Sequence, residues 1–273
     1  MKNILVTIDD NYLDPLLVML YSLFISDIEE EYSVYLLYNN IADNNIEIIR
    51  KQVEGKGNKF YPIKIDSSKL KEAPTTNRYP LEMYYRLLAV EFLPDNLDRI
   101  LYLDPDMIIR GNLNELYNMD MNDAFFAAAT HVESKAINKI NKLRLNTEEG
   151  VSYINTGVLL MNLDRLRKEQ NIQDVFNYIE KNKNVLFLPD QDVINGLYGN
   201  KIIIIDHYIY NMTERLYLLR PGTEAWLNLE WVRENSKIIH YCGRNKPWNK
   251  GYKGSLDCFF YEVIRMKNRD IGC

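Results

Sequence analysis

Apolar runs and helically spaced apolar positions alternate through roughly the first hundred residues. Ile4 to Ile8 is a nearly unbroken apolar run, and Tyr32 to Tyr38, Lys59 to Ile65 and Arg99 to Leu103 repeat that character. Runs of this length with polar flanks predict buried strands. Between them lie helical patterns. Asp14-Pro15 suits a helix start, with Asp as cap and Pro in the first turn, and Leu16, Leu17, Leu20, Leu23 and Phe24 follow on one face. Asn44 to Val53 gives a second helix, and Leu81 to Phe92 (Leu81, Tyr84, Tyr85, Leu88, Phe92) a third. Alternation of this kind predicts an α/β fold with a mainly parallel central sheet, whose ligands lie beyond the carboxyl ends of the strands.

The rhythm then changes. Ala124 to Thr130 and Thr156 to Met161 read as strands, Asp164 to Tyr178 as one helix, and Pro189 opens another helix running through Leu197. Ile202 to Ile205 and Lys237 to His240 are late strands, and residues 132–150 form a polar excursion or short helices. Composition does not break anywhere, which predicts one domain over residues 1–273 with a final helix or tail from 255 onward.

The hydrophobic fraction of 47% allows a substantial core, and the net charge of −5 argues against nucleic acid as a partner. The three cysteines, Cys242, Cys258 and Cys273, have no paired short spacing, which favours a reducing cytoplasm. The N-terminus reads as a first strand and not as a signal peptide, and the apolar runs are shorter than a membrane span. Near the C-terminus, Phe259, Phe260, Tyr261 and Ile264 with Arg265, Lys267 and Arg269 fit either a packed helix or one lying on an anionic membrane, so peripheral membrane association stays open. No Gly-x-Gly-x-x-Gly follows the first strand and there is no P-loop, which removes weight from dinucleotide dehydrogenases and P-loop phosphotransferases.

The most informative chemistry is Asp104-Pro105-Asp106, at the end of the run from Arg99 to Leu103. Residues two apart on a strand share a face, so both carboxylates are expected to point the same way. Pro105 has no N–H for a sheet, so pairing should stop there. Asp-x-Asp alone is also ordinary turn chemistry. Two close carboxylates repel unless a cation joins them, and Mg²⁺ or Mn²⁺ suits such oxygen ligands and a diphosphate. His240 likewise ends an apolar run. Gly243, Lys246 and Trp248 follow it, supplying close backbone approach, a cation for phosphate and an apolar wall.

Together these segments resemble bacterial family 8 glycosyltransferases, the lipopolysaccharide galactosyltransferase-like group with the GT-A fold. The shared features, in order, are Thr7 to Tyr12, Tyr84 to Leu87, Leu101 to Asp106, Tyr153 to Leu163, Pro189 to Gly196 and His240 to Trp248. The resemblance implies a metal-dependent hexosyltransferase using a UDP-sugar, with a glycan, lipid-glycan or glycoprotein as acceptor. It implies Asp104, Asp106 and His240 as ligands of Mn²⁺ or Mg²⁺. It also implies a substrate-binding set. Asp9, Asn11 and Tyr12 meet uridine and ribose, with Thr7 and Leu103 in the same set. Arg86 lies near sugar and diphosphate, Asn155 and Asp190 bind sugar hydroxyls, and Gly243 and Lys246 contact phosphates. Gln191, with Asp190, is the implied catalytic position beside the anomeric carbon.

Asp190 also suits the cap of the helix that Pro189 begins, and Arg86 could pair with Glu82 or Glu91 on its own helix. One departure is visible: a known member carries an acidic residue about where Ala128-Ala129-Thr130-His131 stands, so a galactose preference does not carry over. The family implies retention of anomeric configuration. Gln191 is a poor nucleophile, which favours same-face attack by the acceptor, with double displacement through Asp190 or Asp192 as the alternative. A second class is a UDP-sugar-binding protein that keeps the fold without turnover.

Overall fold

The structure, a computed structural model, describes residues 1–66, 70, 73–74, 82–130, 135–148, 150–219, 224 and 226–271. Ten strands are described: β1 (Lys2–Thr7), β2 (Tyr32–Tyr38), β3 (Lys59–Lys64), β4 (Arg99–Leu103), β5 (Met107–Ile109), β6 (Phe126–Thr130), β7 (Ile154–Asn162), β8 (Ile202–Ile205), β9 (Met212–Thr213) and β10 (Ile238–His240). Seven build a central sheet in the order β3-β2-β1-β4-β7-β6-β8. β7 runs antiparallel to both its neighbours, while the β1–β2, β1–β4, β2–β3 and β6–β8 pairs are parallel. The expected mainly parallel α/β sheet is therefore observed.

Alternation along each strand divides the core. Leu5, Tyr35, Ile100, Tyr102 and Leu159 pack on one face, and Ile4, Val6, Val34, Leu36, Leu101 and Leu103 on the other. The helix Leu13–Ser26 is apolar almost all round because it is buried almost throughout its length. Its cap is Tyr12 and not Asp14, which lies inside the first turn; Asp9 instead caps the preceding turn by accepting from the Asn11 amide.

A second sheet, β5-β10-β9, carries much of the site. β10 runs antiparallel to β5, with His240 opposite Met107, and parallel to β9, with His240 opposite Thr213. The chain crosses from the large sheet to the small one at Asp104-Pro105-Asp106, since β4 ends at Leu103 and β5 begins at Met107. The two aspartates thus sit at a junction between sheets and not on one continuous strand. Pro105 cannot continue the ladder, and the chain turns there.

Two further elements differ from expectation. Leu81 and His131 lie outside the described residues; the third helix is Glu82–Leu87, followed by a short 3₁₀ turn at Ala89–Glu91. The segment from Asp164 to Tyr178 is two helices, Leu163–Glu169 and Ile172–Asn182, because the Asn171 side chain caps the second by accepting from the Gln173 amide. Within the polar excursion, Lys135–Leu145 is helical. The last helix, Asp257–Ile271, buries Phe259, Phe260 and Val263 against Val18, Tyr21, Ile108 and Tyr241. Among the described residues, no helix is long and apolar enough to cross a membrane.

Candidate active site

A cleft of about 510 Å³ opens at the carboxyl ends of β1 and β4, lined by Thr7, Ile8, Asp9, Tyr12, Tyr85, Arg86, Tyr102, Asp104, Pro105 and Asp106. Its size is that of a small-ligand site. Asp9 bonds both the amide and the side chain of Asn11, at 3.0 and 3.2 Å, and both residues are exposed at the rim. Tyr12 meets Trp248 edge to face with ring centres 6.4 Å apart. Leu103 is wholly buried in the core, so its backbone is the part that can face a ligand.

At the inner end of the cleft the two aspartates meet the imidazole. One ligand atom each from Asp104, Asp106 and His240 lie within 4.8 Å of one another. His240 Nε2 is 3.3 Å from Asp106 Oδ1 and 3.7 Å from Asp104 Oδ2. Asp106 Oδ1 is buried without a hydrogen-bond partner. Gly157 on β7 leaves room for the cluster: a Cβ there would lie 2.4 Å from His240 Cε1 and 2.8 Å from Asp104 Oδ2. Two carboxylates, one imidazole and one orphaned acceptor around a space kept open by glycine fit a divalent cation.

Each carboxylate has its own support. Tyr102 donates to Asp104 Oδ1 at 2.6 Å and accepts from Arg86, and Arg86 also donates to Asp104. Lys246 is tied to Asp106 and donates to the Tyr241 carbonyl at 2.8 Å, so its ammonium borders the cluster directly. Burial raises the Asp104 carboxyl and, together with the negative charge of Asp106, outweighs the opposing Arg86 charge. Burial pushes Asp106 upward too, yet the Lys246 ammonium bound to it helps hold its carboxyl below the usual carboxylate range. Gly243 takes φ +79°, a conformation that side-chain-bearing residues rarely adopt, in the loop that returns Lys246 to this edge.

Arg86 turns inward from its helix. It pairs with Asp190, and donates to Thr156 Oγ1 at 3.1 Å. Asp190 is thus held toward the cleft and does not cap its helix, whose N-cap is Leu188. Gln191 is buried, and its Oε1 accepts from Asn155 at 3.3 Å. Asp192, in the same turn, faces the other way and is 0% exposed. Arg144 grips both its oxygens at 2.6 and 2.8 Å, Tyr153 donates at 2.6 Å, and the Phe187 and Leu188 amides donate at 2.5 and 3.0 Å.

Sequence reasoning passed over Tyr102, Thr156 and Asn211. Tyr102 and Thr156 fall inside runs that read as strands, and Asn211 precedes a two-residue strand with no periodic signal. Only Tyr102 had a usable clue, because residues two apart on a strand share a face, as Tyr102 and Asp104 do here.

The sequence matches the profile of glycosyl transferase family 8 across residues 3–251. The chain belongs to that family. Among its relatives is a lipopolysaccharide 1,2-glucosyltransferase of Escherichia coli, 27% identical over 248 residues, covering 89% of this chain and 71% of that protein. A lipopolysaccharide 1,3-galactosyltransferase of Salmonella typhimurium is 24% identical, covering 90% and 73%. The crystal structure of the galactosyltransferase LgtC with donor and acceptor sugar analogues superimposes with a TM-score of 0.80 at 24% identity, covering 97% of this chain and 95% of that one. That likeness confirms the GT-A fold. The protein is a family 8 glycosyltransferase, and its cleft opens at the carboxyl ends of β1 and β4, the edge at which open α/β sheets take ligands.

Proposed function

We propose that this glycosyltransferase moves glucose or galactose from a UDP-sugar to a glycan or lipid-glycan with retention of configuration. The convergence of Asp104, Asp106 and His240 at the inner end of the Thr7–Asp9–Tyr12–Arg86 cleft carries this reading. Those three side chains would hold Mn²⁺ or Mg²⁺, which when bound supplies Lewis-acid stabilisation of the charge growing on the leaving diphosphate. The names of the curated relatives support a hexose donor and a lipopolysaccharide-like acceptor. The family match, nearly as long as the chain, supports reading residues 1–273 as one catalytic domain.

The chain's own groups then divide the work. Asp9, Asn11 and Tyr12 hold the nucleoside at the rim, and Tyr12 and Trp248 offer it apolar walls. Lys246, already bound to Asp106, gives positive charge beside the diphosphate. Arg86 fixes Asp190 toward the sugar and Asn155 fixes Gln191. Asp192 is fully enclosed by Arg144, Tyr153 and two backbone amides, so it lacks the free face a nucleophile needs. The acceptor hydroxyl attacks from the side the diphosphate leaves, its proton passing to the departing phosphate oxygen, while Gln191 supports the cationic sugar.

The test is release of UDP from UDP-glucose and UDP-galactose with Mn²⁺, with and without EDTA. Turnover should stop with EDTA and in Asp104→Ala and Asp106→Ala. Wild-type turnover in either variant at saturating Mn²⁺ defeats the metal assignment. UDP-sugar binding with no release under any acceptor would instead favour a binding protein.

A further inference from the structure

A buried chain of amides joins the carboxylate–imidazole cluster to Gln191, and one backbone donor fixes its sense. The Gly157 N–H donates to Asn155 at 3.0 Å. A backbone amide can only donate, so the Asn155 atom facing it is its oxygen. That same oxygen is 3.1 Å from the Asn211 side chain, which must therefore offer its NH₂ group. The other end of Asn211, its oxygen, lies 2.8 Å from His240 Nδ1. That ring nitrogen must then carry a hydrogen. In the other direction, Asn155 Nδ2 donates to Gln191 Oε1 at 3.3 Å. Asn155, Asn211, Gln191 and His240 are exposed by only 6%, 2%, 5% and 2%, so water hardly competes for these groups.

We propose that Asn211 is a positioning residue: it fixes His240 with its proton on Nδ1, turns the Nε2 lone pair toward Asp104 and Asp106, and through Asn155 ties this ligand to Gln191. The cation that would use the lone pair belongs to the function proposed above, whereas the proton's place on Nδ1 does not depend on it. A partner that holds the second nitrogen of a ligating histidine sets both ring orientation and tautomer, and its loss typically costs about 10–100-fold in metal affinity. Asn211 also separates two effects. Its oxygen serves His240, and its NH₂ serves Asn155 and so Gln191.

Two variants resolve these. In Asn211→Ala both bonds go, and the imidazole is free to place its proton on Nε2, facing Asp106 Oδ1 at 3.3 Å. Mn²⁺ affinity should drop about 10–100-fold. In Asn211→Asp the carboxylate still accepts from Nδ1–H but has nothing to donate to Asn155. Mn²⁺ affinity should recover while kcat stays low.

The experiment is ¹⁵N NMR of the imidazoles in the full-length, metal-free protein, with His240 assigned by its loss in His240→Gln, and calorimetric Mn²⁺ binding on the same samples. Wild type should show Nδ1 protonated. A bare Nδ1 with the proton on Nε2 overturns the proposal without any variant. An Asn211→Ala protein that keeps both the Nδ1 proton and wild-type Mn²⁺ affinity also overturns it. If that variant does not fold, wild type and Asn211→Asp decide: Asn211→Asp with wild-type kcat overturns the link to Gln191, and lowered kcat with retained Mn²⁺ affinity supports it. A wild type with the expected tautomer that binds no Mn²⁺ upholds the tautomer and defeats only the metal reading.

Discussion

Asp190 and Asp192 lie two residues apart in the first turn of one helix, and their surroundings give them opposite work. Asp190 faces the cleft through Arg86, whereas Asp192 is locked behind it by Arg144 and Tyr153. Breaking a buried ion pair leaves an uncompensated charge, so Asp192→Ala should cost about 3–5 kcal/mol in urea unfolding. The pH dependence has a definite sign. Burial pushes the Asp192 carboxyl up, but Arg144, Tyr153 and the two amides outweigh it and hold it below its ordinary 3.8. Folding therefore stabilises the ionised form. That stability is full above the unfolded value and is lost as pH falls through about 4 toward the folded one. Unfolding free energies between pH 7 and pH 3 should show a shallower acid slope in Asp192→Ala than in wild type. Tyr102 makes a second case. Burial pushes its hydroxyl well up, so it stays protonated and donates to Asp104. Tyr102→Phe removes that bond and the acceptor for Arg86, and Mn²⁺ affinity by calorimetry should fall roughly tenfold with the fold intact.

Strand pairing brings the ligands together, and the sharpest dependence falls on the strand that contributes none. β7 lies beside β4 with Val158 opposite Leu103, and the Asp104 amide donates to the Gly157 carbonyl at 2.9 Å. Gly157 therefore faces the imidazole directly. A methyl there meets His240, Asp104 and Asn155 at 2.4, 2.8 and 3.0 Å, and none of the three is the free end of an exposed flexible chain. Gly157→Ala should abolish measurable Mn²⁺ binding. Its cost in stability should stay near the 1–3 kcal/mol of ordinary overpacking, because the fit around the ion, and not the sheet, is what the methyl disturbs. Retained Mn²⁺ binding in a folded Gly157→Ala protein would show that the ion sits elsewhere.

Across the whole molecule, the first helix ties the two sheets and the C-terminal helix into one packed body. Phe259, Phe260 and Val263 share a core with Val18 and Tyr21, and Tyr21 donates to Asp270 at 2.9 Å. The basic, aromatic C-terminal stretch is thus a packed helix, with Tyr261 and Met266 among its exposed apolar residues. Each buried aromatic or aliphatic side chain contributes about 1.5–3 kcal/mol. Removal of residues 257–271 should accordingly lower the melting temperature steeply in the absence of any membrane. A truncated protein with wild-type melting and only weakened liposome binding would assign this helix to the membrane surface instead.

The order of strands and helices through β4, the Asp104–Asp106 pair, His240 and the Asp190–Gln191 turn were legible because each carries a local signal: an apolar run, a turn residue, or a charged group at a strand end. Family resemblance then gave those local signals a shared purpose. Two- and three-residue strands such as β9 and β5 have too little periodicity to show in a sequence, so the small sheet that carries His240 to Asp106 was not visible. The same limit hid Asn211, whose role exists only in the direction of its hydrogen bonds, and it left Asp190 and Asp192 indistinguishable. Local chemistry follows from residue type and neighbours along the chain, whereas the partner that each buried polar group faces is set by packing between segments far apart in sequence.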